Sequence, residues 1–144
     1  MQTAEISNAY LNAPFRELIW IVAGPEFGID EGCAMKVVRA WYGLKSPGAI
    51  WNAILSQTMV DMEYTRCKAD HDLWYRPAVN PNGFEYYEYV LIFFDNILNI
   101  SHDTNAKMET LVNLYQLKPG SVGPPDRYLG GNVGKFQPED GTMA

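Results

Sequence analysis

Residues 90–101, VLIFFDNILNIS, set two apolar runs on either side of one small polar pair, Asp95-Asn96. Each run is long enough for a strand, and the gap between them is too short for anything but a tight reversal. Asp and Asn tolerate the backbone angles that turns require. The stretch therefore predicts a β-hairpin, with strands over residues 85–94 and 97–101 joined at Asp95-Asn96. A hairpin buried on both flanks commits the chain to an antiparallel sheet. The acid at its tip has two readings. It is a turn former, or it is a carboxylate whose position is fixed by the packed strands on either side so that it can hold a metal ion. The second reading must explain why an amide, and not another acid, stands beside it.

The remaining elements fit around that hairpin. Residues 4–11 predict a short strand entering a turn or helical turn. Residues 18–23 (LIWIVA) and 34–38 (AMKVV) predict a second hairpin across the Gly- and acid-rich loop GPEFGIDEG. Ser46-Pro47 opens the clearest helix, since Ser is a favoured N-cap and Pro fits the first helical position. Ile50, Trp51, Ile54, Leu55, Met59 and Met62 then recur at helical spacing. Residues 73–76 predict a short strand, and Asn80-Pro81-Asn82-Gly83 a turn. Asp103 caps a second helix, in which Met108, Leu111, Val112 and Tyr115 share one face and Lys118-Pro119-Gly120 marks the stop. Residues 127–136 (RYLGGNVGKF) read as a last strand broken by glycines, and residues 137–141 as a loop leaving the domain. Hairpins plus amphipathic helices predict an α+β fold, an antiparallel sheet with two helices packed on one face.

Composition narrows the function. At 144 residues the chain is the size of one domain, and at 47% hydrophobic and 13% aromatic it can build a core. Its net charge of −6 is the wrong sign for a free-standing nucleic-acid binder, which needs a basic face against phosphate. The two cysteines, Cys33 and Cys67, read as free thiols in a reducing compartment. No apolar run is long enough to span a bilayer and no secretory leader is visible, so an intracellular protein without a membrane partner is expected. Met1-Gln2-Thr3 runs almost directly into the first patterned segment, and residues 137–141 read as a loop leaving the domain, which together predict a piece of a larger protein.

Three motifs in order carry a resemblance. The first is Glu5-Ile6-Ser7-Asn8-Ala9-Tyr10-Leu11-Asn12. The second is Trp41-Tyr42-Gly43-Leu44-Lys45-Ser46-Pro47, followed by Trp51. The third is Phe93-Phe94-Asp95-Asn96, with smaller echoes in Lys68-Ala69-Asp70 and Tyr128-Leu129-Gly130. Together they resemble the reverse transcriptase of Ty1/copia-type retrotransposons. The first is similar to a motif that begins with Asp and has an aromatic five residues on. The second is similar to Leu-Tyr-Gly-Leu-Lys-Gln-x-Pro-x-x-Trp, and the third to a Tyr-x-Asp-Asp box. The fold implied is a polymerase palm, a sheet backed by helices, with most of the fingers and thumb absent from residues 1–144. The missing parts would then supply basic surface that this chain lacks.

The resemblance implies two-metal nucleotidyl transfer, with Mg²⁺ as cofactor. Two such ions about 3.5–4 Å apart activate the primer hydroxyl and stabilise the leaving oxygen. Mg²⁺ prefers carboxylate oxygen and takes few protein ligands. The catalytic positions map to Glu5, Asp95 and Asn96, and the metal ligands to Glu5 and Asp95. Here the chain departs from the pattern. Glu5 adds a methylene where the family has Asp, and Asn96 carries no charge where the family has a second Asp. Metal-assisted stabilisation is worth several kcal/mol, and each 1.4 kcal/mol is about tenfold in rate. A weakly active or inactive copy is expected.

The nucleotide and template contacts implied are Ala9, Tyr10, Lys45, Ser46, Phe93 and Phe94. Tyr10 matches an aromatic gate under the incoming sugar, against a plain reading as a half-buried ring; the motif context favours the gate. Ser46 serves as a helix cap, a substrate contact or both. Phe93 replaces Tyr and loses a hydroxyl. Lys118 as a proton donor to the triphosphate carries little weight beside a solvated lysine at a helix end. The resemblance also implies partners: RNA/DNA template-primer, dNTP, the remaining polymerase subdomains, and integrase and ribonuclease H in a parent polyprotein. The rival reading is a non-catalytic interaction domain that keeps the fold to bind nucleic acid or protein.

Other clusters weigh less. Neighbouring residues of a strand point to opposite faces, so Asp70-His71-Asp72 cannot converge on one ion. His71 and His102 lack companion cysteines or a nucleophile. Trp20, Trp41, Trp51 and Trp74 read as core or interface residues, and the Met59/Met62 pair as core filler.

Overall fold

A computed structural model describes residues 1–134; the end of the predicted last strand and the predicted exit loop lie outside the described residues. The chain is α+β. It divides into two compact units, one made of Met1–Ser7 with the chain from Met59 onward, the other of Asn8–Thr58.

The first unit holds a five-stranded antiparallel sheet in the order β1-β7-β6-β5-β4, with β1 at Gln2–Glu5, β4 at Thr65–Arg66, β5 at Leu73–Val79, β6 at Glu85–Phe93 and β7 at Asn96–Ile100. The central hairpin is the predicted one, displaced by one residue. Phe93 pairs with Asn96, so the turn is Phe94-Asp95 and Asn96 already belongs to β7. Phe94 takes φ 56°, as primed two-residue hairpin turns require of their first central residue. Propensity favoured Asp-Asn at the turn, but strand register puts a phenylalanine there instead. β7 is flanked by β1 and β6, and Ile97, Leu98 and Asn99 are all buried. In β6 the period of two survives: Glu88, Val90 and Ile92 face inward while Tyr87 and Tyr89 are exposed.

β5 runs three residues past its predicted end and carries Pro77. Proline is tolerated because β4 pairs only with Trp74 and Tyr75, so nothing on that side needs the missing N–H. The β5–β6 turn is built as predicted. Asn80 Oδ1 accepts from the N–H groups of Asn82 at 3.0 Å and Phe84 at 2.9 Å, and Gly83 takes φ 80°. Helix α2, Thr104–Leu114, starts at Asp103, whose Oδ1 accepts from the Ala106 N–H at 3.1 Å. It packs against β7 through Met108 and Leu111, with Tyr115 just beyond. Val112, predicted on that face, is exposed, because the buried stripe here is narrow. The helix also ends at Leu114, before the predicted Lys118 stop, since Tyr115 is already extended. The predicted last strand is instead a small hairpin, β8 at Arg127–Tyr128 and β9 at Gly131–Asn132. Leu129 and Gly130 both have positive φ, which makes a two-residue turn inside the stretch that reads as one glycine-broken strand.

The second unit holds the predicted hairpin of β2, Trp20–Val22, with β3, Ala34–Lys36. Its small core is Ala13, Phe15, Val37 and Ala40, covered by Ile19, Ile21, Leu44, Ile50 and Ile54. Helix α1, Pro47–Asp61, begins where Ser46-Pro47 predicts and runs from this unit to the first residues of the other. Pro47, Trp51, Leu55 and Met59 form its buried line at a spacing of four. Trp51 and Trp74 are core residues, whereas Trp20 and Trp41 are exposed. No described helix is long and apolar enough to cross a membrane.

Candidate functional site

Asp95 sits at the tip of the β6–β7 hairpin, and β1 brings Glu5 to it. The β1–β7 register sets Glu5 opposite Asn96, and the Ile6 N–H donates to the Asp95 carbonyl at 2.8 Å. Glu5 thereby meets the adjacent pair Asp95-Asn96, far from it in the chain, at one end of the sheet. The Asn96 amide donates to Asp95 Oδ1 at 2.9 Å. An aspartate at position 96 would have no donor to offer and would set a second negative charge against the first.

A fourth residue joins them. The segment after α2 runs along the outer edge of β1. Leu117 bridges Ile6, Gly123 bridges Thr3, and the Lys118 N–H donates to the Glu5 carbonyl at 2.8 Å. Ser121 Oγ accepts from the Glu5 N–H at 3.0 Å. This clamp fixes the backbone of Lys118 beside Glu5, and its ammonium donates to both Glu5 carboxylate oxygens at 2.9 Å. The Glu5 bonds and charge, with the charge of Asp95 nearby, hold the Lys118 ammonium above its ordinary protonation range. Sequence spacing weighed Lys118 as a proton donor or a solvated end. Its edge pairing with β1 is a long-range contact, and no local signal carries it.

Phe93 and Phe94 are exposed, their rings edge to face with centroids 4.9 Å apart. Phe94 is the most constrained residue of the tip, since bulky side chains rarely take positive φ. The Tyr128 hydroxyl lies 3.4 Å from the Leu91 carbonyl and 3.5 Å from that of Asn96, so the Tyr-Leu-Gly echo reaches the back of the same hairpin. Burial first, then the charges of Asp72 and Asp70, push that phenol up to about 12.

The remaining predicted contacts lie in the other unit and are described within it. Ala9 is buried and Tyr10 half-buried in a 3-10 turn, Ala9–Asn12, that follows Asn8 in the left-handed region. The Tyr10 ring lies 4.4 Å from the Tyr42 ring, tilted by 38°. Lys45 is exposed. The Ser46 hydroxyl donates to Glu17, while the Ser46 carbonyl takes the first helical bond, from Ile50 at 3.1 Å. Asp70-His71-Asp72 forms a turn, in which Asp70 Oδ1 accepts from the Asp72 N–H at 2.9 Å.

A second charged cluster escaped the sequence reading. Glu88 faces Arg76 across β5–β6 and is only 2% exposed. Its carboxylate accepts from Arg76, from the Tyr64 hydroxyl at 3.1 Å and from the Ser101 hydroxyl at 2.7 Å, with the Lys107 ammonium at 3.7 Å. Burial alone would push the Glu88 carboxyl up. The Ser101 and Arg76 hydrogen bonds and the charges of Arg76 and Lys107 outweigh burial and hold it below its ordinary value. A pocket of about 550 Å³ opens on the cluster, lined by Arg76, Tyr86, Glu88, Ser101, His102 and Lys107 among others. The sequence signal was a lone Glu in phase with Val90 and Ile92.

Residues 1–136 match the family described as reverse transcriptase (RNA-dependent DNA polymerase). The chain belongs to that family, and its type is that of Ty1/copia retrotransposons. It is 22% identical over 145 aligned positions to a Saccharomyces cerevisiae transposon Ty5-1 protein, a match that covers 97% of this chain and 45% of that protein. The chain thus spans about half the length of that curated relative. No solved structure matches it.

Membership of this family implies dependence on divalent metal. The donor set at the hairpin tip does not fit a two-metal centre. One carboxylate is held on both oxygens by an ammonium, one accepts from the Asn96 amide on Oδ1, and the third position is that amide. Among the described residues, no three His, Cys, Asp or Glu side chains gather around a point where one ion could be held.

Proposed function

We propose that this chain is the palm segment of a retroelement RNA-directed DNA polymerase whose nucleotidyl-transfer centre is degraded, leaving it weakly active or inactive. Glu5, Asp95 and Asn96 are the remnants of the catalytic triad, and Glu5 and Asp95 of the metal site. Ala9, Tyr10, Lys45, Ser46, Phe93 and Phe94 are the remnants of the surface for nucleotide and template. The observation that carries the reading is the meeting of Glu5, Asp95 and Asn96 at one hairpin tip, from positions ninety residues apart, in the order the family requires. The parent protein would be an intracellular polyprotein with further polymerase subdomains, integrase and ribonuclease H, acting on template-primer and dNTP.

The degraded centre follows from charge. Two adjacent divalent ions need free carboxylates from the protein, because Mg²⁺ prefers hard anionic oxygen. This tip offers two, and one of them is paired with Lys118. The test is primer extension on an RNA template with Mg²⁺ or Mn²⁺, with the chain set in a full-length retroelement frame. Glu5→Asp combined with Asn96→Asp should raise the rate by at least about a hundredfold, the scale of a few kcal/mol. Equal and robust extension by both proteins would reject the degraded-site reading. No extension by either would reject the polymerase reading.

A further inference from the structure

We infer that the Lys118 ammonium is the resident cation of the Glu5–Asp95 pair and keeps divalent ions out of it. This rests on the reading of those two acids as the remnant of a metal site.

The ammonium is placed, not roaming. The Lys118 N–H bond to the Glu5 carbonyl and the Ser121 bond from the Glu5 N–H hold the two backbones side by side. A tethered cation acts at a high effective concentration, whereas a dissolved ion must be recruited from bulk. Both Glu5 oxygens are engaged at 2.9 Å, which leaves no bidentate face toward Asp95. The charge count agrees. Two carboxylates and one ammonium leave a single negative charge, and Asn96 adds none. An arriving divalent ion would meet a positive charge already seated on its ligand. Asn96 belongs to the same arrangement, because its amide donates to Asp95 Oδ1 without adding charge. The tip is therefore partly neutralised from within the chain by an ammonium, where its family calls for metal.

The test reads ion binding without nucleotide or primer. Mn²⁺ is titrated into the full 144-residue chain. Binding is followed by loss of the free-ion EPR signal and by broadening of the Ile6 and Asn96 amide resonances. The unaltered chain should show no saturable broadening there. Lys118→Met should gain it, with affinity at least about tenfold higher once the opposing charge is gone. Lys118→Arg, which keeps the charge, should behave like the unaltered chain, and Asp95→Asn on top of Lys118→Met should abolish the gain. Lys118→Gln reads the same change if the Met variant does not fold. Equal binding by the unaltered chain and the Met or Gln variant overturns the inference, and so does the absence of any gain. Such a failure leaves the primer-extension result untouched, and a failure of primer extension leaves this titration untouched.

Discussion

The β6–β7 hairpin carries one acid–cation cluster at each end, and the two are built on opposite terms. At the far end, Glu88 is sealed among Arg76, Tyr64, Ser101 and Lys107, with four partners for two oxygens. At the tip, Glu5 and Lys118 meet at the surface, with side chains 35% and 57% exposed. A buried carboxylate survives only if its desolvation is offset by several donors at once, so every partner becomes indispensable. An exposed pair has water as an alternative partner, so either member can leave. One cluster holds the sheet together. The other leaves its tethered ammonium in contact with water, and the fold does not depend on the pair.

The largest expected effect lies at the sealed end. Glu88→Ala leaves Arg76 facing a cavity with only the Met62 carbonyl and the Tyr64 ring, and should cost about 3–5 kcal/mol. Urea denaturation would show it, and a loss below about 1 kcal/mol would mean the cluster is solvated after all. The pH dependence has a fixed sign. Glu88 is held below its ordinary value of 4.5, so its stabilisation is complete above that value and is lost as pH falls through the lowered folded value. Acid titration of the denaturation midpoint should therefore be shallower in Glu88→Ala than in the unaltered chain.

Ser101→Ala comes next. It removes the donor to Glu88 Oε2 at 2.7 Å and an acceptor for the Asp103 N–H at 3.2 Å, beside the α2 cap. A hydrogen bond to a charged group is worth about 1.5–3 kcal/mol, so about 2 kcal/mol is expected by the same denaturation. A smaller value would mean that water replaces the hydroxyl through the adjoining pocket.

How far the sequence disclosed these two ends differs for the same physical reason. Local signals carried the hairpin, the Asn80 turn, the Asp103 cap and the start of α1, because each depends on neighbours in the chain. The tip was found only because motif order tied Glu5 to Asp95 across the sequence. The one-residue shift of its turn went unseen, since register is decided by matching across strands, Ile92 opposite Ile97 and Val90 opposite Asn99, and not by turn propensity. Lys118 and Glu88 were out of reach for another reason. Each is defined by a partner on a distant strand, Glu5 or Arg76, and one sequence without pairing gives no way to choose that partner.

The strained turn should respond with the opposite sign. Phe94 takes φ 56°, a left-handed conformation that costs a side chain roughly 1–2 kcal/mol. Phe94→Gly relieves this but gives up the ring contact with Phe93 and adds freedom to the unfolded chain. The net should fall between no change and a gain of about 1 kcal/mol. A loss above about 1 kcal/mol would mean that the exposed ring pair, and not the turn geometry, holds the tip together.

The smallest effect is expected at the tip's own ion pair, and its smallness is the point. Glu5→Gln removes the charge that Lys118 meets but keeps the β1 backbone bonds to Asp95, Lys118 and Ser121, which involve no side-chain atom of residue 5. Water can solvate the freed ammonium at once, because more than half of that side chain is already exposed. The thermal midpoint should therefore stay unchanged within error, in low salt and in 0.5 M NaCl alike. The Lys118 side-chain resonances should nevertheless shift in low salt, and 0.5 M salt should reduce that shift by screening the pair. A clear fall in the midpoint would mean that the pair is structural, like the cluster at the other end of the hairpin. The contrast between the sealed and the solvated end would then fail.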